Sequence, residues 1–108
     1  MKPKVELTDL ALQDLFDISD YYLENVSDAV ATGVIDDLER SVYSLAEQPK
    51  KGHIPPKMVY LGFNEYLEIR SGNYRIFYTI AGKAIYVLSI LDARRNVEEL
   101  LHQRMLLR

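Results

Sequence analysis

A chain of 108 residues with 48 % hydrophobic content fits one small globular domain, residues 1–108. The absence of cysteine excludes a disulfide framework or thiolate metal site, and no apolar run approaches the ~20 residues of a membrane span. The formal net charge of −3 conceals a division: residues 1–48 carry 11 acids against three bases, net −8, and residues 49–108 carry 10 bases against five acids, net +5.

Such asymmetry gives one face that attracts an acidic partner or nucleic acid and another that repels it, unless the helices merely wear acidic solvent faces. Met1-Lys2-Pro3-Lys4 leads into a polar amphipathic segment with no apolar signal-peptide core, which predicts a cytoplasmic protein.

Val5–Leu7 forms a short strand, and Thr8 is placed to cap the helix that follows, with Asp9 in its first turn. Leu12, Leu15, Phe16, Tyr22 and Leu23 recur at helical spacing, with Asp14, Asp17 and Asp20 elsewhere on the wheel. Asn25 to Asp28 breaks the pattern, and Ser27 is a fresh cap. Val30, Val34, Ile35, Leu38, Val42 and Leu45 then line one side of a second helix that Pro49 stops. The short connection predicts an antiparallel helical hairpin.

Lys50 to Pro56 is a loop, because its prolines and glycine deny it regular pairing. Met58 to Leu61 forms a short strand candidate. Tyr66 to Arg70 alternates as a half-exposed strand does. Arg75–Ile80 and Ala84–Leu91 join through Ala81-Gly82-Lys83 as a hairpin. Neither alternates cleanly, so both belong at the sheet centre with both faces covered. Asn96 and Glu99 resemble a capping box opening a last helix with Leu100, Leu101, Met105 and Leu106. The order β-α-α-β-β-β-α predicts an α+β domain, with the helical hairpin and C-terminal helix packed on a mostly antiparallel sheet.

Four arginines stand at strand boundaries. Arg75 opens one strand of the hairpin and Arg94-Arg95 follow the end of the other, so pairing brings them to one edge; Arg70 ends the preceding strand near them. Their guanidinium groups suit bidentate capture of phosphate or carboxylate, in competition with the local acids Glu68, Asp92, Glu98 and Glu99. Catalytic candidates are thin. His53 sits in the proline-rich loop and His102 in the last helix, neither beside a metal-site or catalytic partner in sequence. Asp36-Asp37 look solvated. Tyr60, Tyr66, Tyr74, Tyr78 and Tyr86 interleave with the arginines and suit base stacking, although their alternating positions favour core packing.

Gly52-His53-Ile54-Pro55-Pro56, Asn73-Tyr74-Arg75-Ile76-Phe77-Tyr78 and Asp92-Ala93-Arg94-Arg95 together resemble the RelE/ParE superfamily of bacterial toxins, most closely its ParE branch of plasmid-stabilisation toxins. The resemblance covers nearly the whole chain and is tightest from Gly52 through Arg104. It implies the toxin of a type II toxin–antitoxin pair that poisons DNA gyrase without catalysis or cofactor and is neutralised by a ParD-like antitoxin with an acidic tail. Arg70, Arg75, Arg94 and Arg95 become the expected target-binding residues, and direct nucleic-acid binding is not expected. Where that family's strand end commonly reads His-x-Arg-Arg, Asp92 stands here in place of the histidine.

RelE-like members, which cut mRNA in the ribosome, imply a different site. Aligned through the Tyr-Arg strand, their lysines fall on Tyr66 and Glu68 and their C-terminal tyrosine near Glu99, leaving only Arg75 and Arg95. A glutamate where a cation meets phosphate counts against cleavage. The alternatives to gyrase poisoning are a nuclease with a rearranged site and an inactive relic that only binds antitoxin.

Overall fold

The computed structural model describes residues 2–55 and 65–106. Its elements are β1 (Lys4–Leu7), α1 (Asp9–Asn25), α2 (Asp28–Tyr43), a 3-10 turn (Ser44–Ala46), β2 (Leu67–Ser71), β3 (Tyr74–Ala81), β4 (Ala84–Asp92) and α3 (Val97–Leu106). The order matches the sequence expectation, and the Met58–Leu61 strand candidate falls outside the described residues. The strands form one sheet in the order β1-β4-β3-β2, with β1 parallel to β4 and the other pairs antiparallel. β3 and β4 are therefore the central strands, as their lack of alternation implied.

Local chemistry sets the boundaries. Thr8 Oγ1 accepts the Ala11 N–H, Ser27 Oγ accepts the Val30 N–H and Asn96 Oδ1 accepts the Glu99 N–H, so each helix opens on a side-chain cap. Gly72 and Gly82 take φ of +59° and +60° at the first turn position of the two hairpins, where glycine carries no Cβ penalty. α2 ends at Tyr43, earlier than Pro49 alone suggested, because the chain tightens into the 3-10 turn that carries the fully buried Leu45.

The helical hairpin covers one sheet face. Ala11, Leu38, Val42 and Leu45 pack on Ile69, Tyr74, Ile76, Tyr78, Ile85, Val87 and Ile90. The opposite face is smaller: Phe77 and Leu91 meet Val97 and Leu101 of α3. A bulge lets β4 serve both layers. Phe77 pairs with Ser89 and Tyr78 with Val87, which leaves Leu88 unmatched. Below it Ile85 and Val87 face the hairpin, and above it Ile90 does.

On α1 the sequence stripe is displaced. The sheet-facing line is Ala11, Asp14, Leu15, Ile18 and Tyr22, whereas Leu12, Phe16 and Leu23 are exposed, Phe16 by 59 %. The displacement follows from Asp14, which is buried because polar groups from two other elements satisfy it.

Candidate functional site

Strand register brings the four expected arginines to one end of the sheet. Arg70 lies opposite Arg75, Tyr74 lies opposite Asp92, and Arg94 and Arg95 leave the sheet just past Asp92. Their side chains, however, stand in three different environments.

Arg75 belongs to the frame. Its Nε and Nη2 grip the two oxygens of Glu68, the second at 2.9 Å, and the side chains are only 13 % and 4 % exposed. The guanidinium carbon lies 5.2 Å from the Phe77 ring centre, a cation–π contact on the α3 side of the sheet. His53 approaches the same carboxylate, with Nε2 3.6 Å from Glu68 Oε1, too long for a hydrogen bond. Its backbone pairs with Glu68 in both directions and fastens the loop to the outer side of β2. Paired this way, Arg75 and Glu68 present no net positive charge, so a phosphate gains little at this position.

Arg94 is exposed but held. Nε and Nη2 donate to Asp92 at 3.0 and 2.6 Å, and the Arg94 backbone N–H donates to the same carboxylate at 2.9 Å. These bonds hold the Asp92 carboxyl below its ordinary range, chiefly through the Arg94 side chain, and raise the Arg94 guanidinium in turn. Asp92 also closes the corner: its carbonyl accepts the Arg95 N–H at 3.1 Å, and the Ala93 N–H donates to Asn73 at 2.7 Å. Arg94 thus leaves the strand in a fixed direction with most of its surface, 69 %, in solvent.

Arg70 and Arg95 are exposed and make no ion pair among the described residues. Beside them Tyr74 and Tyr22 join hydroxyls at 3.3 Å, and Tyr21 meets Tyr22 edge-on. Burial, then the Tyr22 hydrogen bond, raises the Tyr74 phenol.

Sequence reading missed one cluster. Asp14, treated as a solvent-side acid, accepts the Ile90 N–H at 2.9 Å and two Arg104 N–H groups at 2.8 Å each. Arg104 also donates to Ser89 Oγ at 3.0 Å. The available signal was weak: an acid three residues after buried Ala11 and one before Leu15 sits on the inner face, yet its partners lie 76 and 90 positions away. Asp14, Arg104, Arg94 and Arg95 line one cleft of about 340 Å³ between α1 and the β4–α3 corner, floored by Ile18, Ile90 and Leu91. Among the described residues no group of acids and histidines is placed to hold a metal, and no helix is long and apolar enough to cross a membrane.

A family model described as "ParE toxin of type II toxin-antitoxin system, parDE" matches residues 5–97. No curated protein matches the sequence. Among solved structures, a chain of the "Chromosomal ParDE TA system from P. aeruginosa" superposes with a TM-score of 0.74. It is 20 % identical, and the match covers 86 % of this chain and 98 % of that one. At that identity the likeness concerns the fold.

Proposed function

The chain belongs to the ParE family of toxins of type II toxin–antitoxin systems, and we propose on that premise that it poisons DNA gyrase and is restrained by a ParD-like antitoxin. The family match over residues 5–97 carries this reading. The mechanism is occupancy rather than bond chemistry. Arg94, Arg95 and Arg70 offer guanidinium donors from a rigid strand end, and the cleft lined by Arg94 and Arg95, with charged walls and Ile18, Ile90 and Leu91 among its lining, gives a partner side chain a place to enter. Arg75 supports the surface from beneath. The site of action is the cytoplasm, where gyrase works.

A nuclease reading gains nothing from the sheet face. Two of the expected phosphate-binding positions hold Glu68 and Arg75, and these two neutralise each other. The His53 imidazole stands 3.6 Å from Glu68 Oε1, beyond hydrogen-bond distance, so no carboxylate hydrogen bond orients it as a general base.

Induced expression in a bacterial host tests the proposal. The expected outcome is growth arrest with chromosome breaks and a DNA-damage response, both abolished by co-expression of a ParD-like antitoxin. Arrest with ribosome-dependent mRNA cleavage and intact chromosomes contradicts it. So does normal growth at high expression, which would mark the chain as an inactive antitoxin binder.

A further inference from the structure

Asp14 stands on α1 in the cleft that Arg94 and Arg95 also line, and it holds both ends of the segment that carries them. Ile90, whose N–H it accepts, lies two residues before β4 ends. Arg104, whose two N–H groups it accepts, lies in the last turn of α3. Between them the chain leaves the sheet, turns at Asp92–Arg95 and returns as a helix. β1 pairs only with Ala84–Val87, so the upper edge of β4 is open to α1, and a carboxylate there takes the place of a strand neighbour.

Among the described residues the segment is also held where Leu91 and Asp92 pair with Arg75 and Tyr74 of β3. Val97 and Leu101 pack on Phe77 and Leu91, with Leu100 beside them, and the Ala93 N–H reaches Asn73. Against that small apolar contact, a charged pair with Asp14 only 7 % and Arg104 25 % exposed weighs heavily. Losing Arg104 strands a buried carboxylate, so the two groups stay docked together or leave together.

We propose that Asp14 is a positioning residue: by clasping Ile90 and Arg104 at once, it fixes where the Arg94–Arg95 corner stands and therefore whether the toxin's target can be engaged. Asp17 lies on the same side and further favours the Arg104 charge, while Arg94, Arg95 and Asp92 face the clasp across the cleft. The functional half of the inference rests on the gyrase reading; the clasp itself does not.

Amide hydrogen exchange on the purified full chain tests it, for wild type, Asp14→Asn, Arg104→Gln and the double variant. The single variants are expected to speed exchange across residues 91–104 about tenfold or more while β3 amides stay near wild type. The double variant is expected to add little to either single. Inhibition of gyrase should fall in step with the exchange at 91–104, in protein that remains folded. Exchange at 91–104 that stays at the wild-type rate overturns the proposal, as does a uniform rise across the whole chain. Local loosening with undiminished gyrase inhibition overturns the positioning role. Should wild type itself leave gyrase untouched, the gyrase reading fails while the exchange pattern still decides the clasp. If Asp14→Asn does not fold, Arg104→Lys, which keeps the charge and loses the two-pronged grip, is expected to show the same local loosening, and its absence overturns the proposal.

Discussion

Arg75 and Arg94 both face a carboxylate, yet the two pairs should respond differently to truncation. Arg75→Ala leaves Glu68 charged and almost wholly buried, which is expected to cost about 3–5 kcal/mol in urea unfolding. Arg94 and Arg95 stand in solvent, so replacing both with alanine should leave the unfolding midpoint near wild type. Loss of toxicity in Arg75→Ala therefore reports folding, whereas loss in Arg94→Ala/Arg95→Ala reports function. Tyr78 makes a second test. Its buried hydroxyl accepts the Gly52 N–H at 3.0 Å and donates to the Pro49 carbonyl at 2.8 Å, pinning the loop after the 3-10 turn to the sheet. A Cβ at Gly52 would lie 2.6 Å from that hydroxyl and 2.8 Å from the Glu68 carbonyl, so Gly52→Ala should destabilise by about 1–3 kcal/mol. Tyr78→Phe should cost a similar ~1–3 kcal/mol, because two backbone groups lose their partner.

Titration has a definite sign at this scale. Arg94 holds Asp92 below its ordinary value of 3.8, so the stabilisation is complete above pH 3.8 and fades as pH falls through the lower folded value. Tyr74 and Tyr78 lie above their ordinary 10.0, mainly through burial. Their contribution is complete below pH 10 and is lost as pH rises through the folded values, because the unfolded chain ionises first. Ultraviolet titration of the eight tyrosines should show at least two that ionise only as the fold opens.

At the scale of elements, the parts decided locally were legible. Thr8, Ser27 and Asn96 announce helix starts because a side-chain oxygen satisfies an N–H two or three residues ahead. The convergence of the arginines follows from hairpin arithmetic, since Tyr74 must lie near Asp92 once Gly82 turns the chain. Which acids claim which arginines was not legible. Several were within reach, and only strand register selects Glu68 for Arg75. The bulge at Leu88 was invisible too, because an extra residue in an apolar run leaves the composition unchanged. α1 misled most: helical period marks apolar positions without revealing that a buried carboxylate with three hydrogen bonds competes for the inner face. The displaced stripe predicts that Phe16→Ser will change stability by less than about 0.5 kcal/mol, whereas Leu38→Ala, 1 % exposed, should cost about 2–5 kcal/mol.

Across the molecule, the charge division remains after pairing. The cations of the first 48 residues are all engaged: Lys2 with Glu47, Lys4 with Glu6 and Arg40 with Asp37. The helical hairpin therefore keeps an excess of acid, while Arg70 and Arg95 at the end of the sheet make no ion pair among the described residues. A partner that meets the sheet end through these cations should bind more weakly as salt rises, because exposed charges are screened within about 10 Å at 0.1 M.

We propose that a stable, non-catalytic surface around Arg94 and Arg95 poisons gyrase. A supercoiling assay with purified gyrase, comparing wild type with Arg94→Ala/Arg95→Ala at equal folded concentration, addresses it directly. Wild type is expected to inhibit with trapped cleaved plasmid, in proportion to toxin bound, and the double variant little or not at all. Unimpaired supercoiling at large toxin excess, or equal poisoning by both proteins, would contradict it.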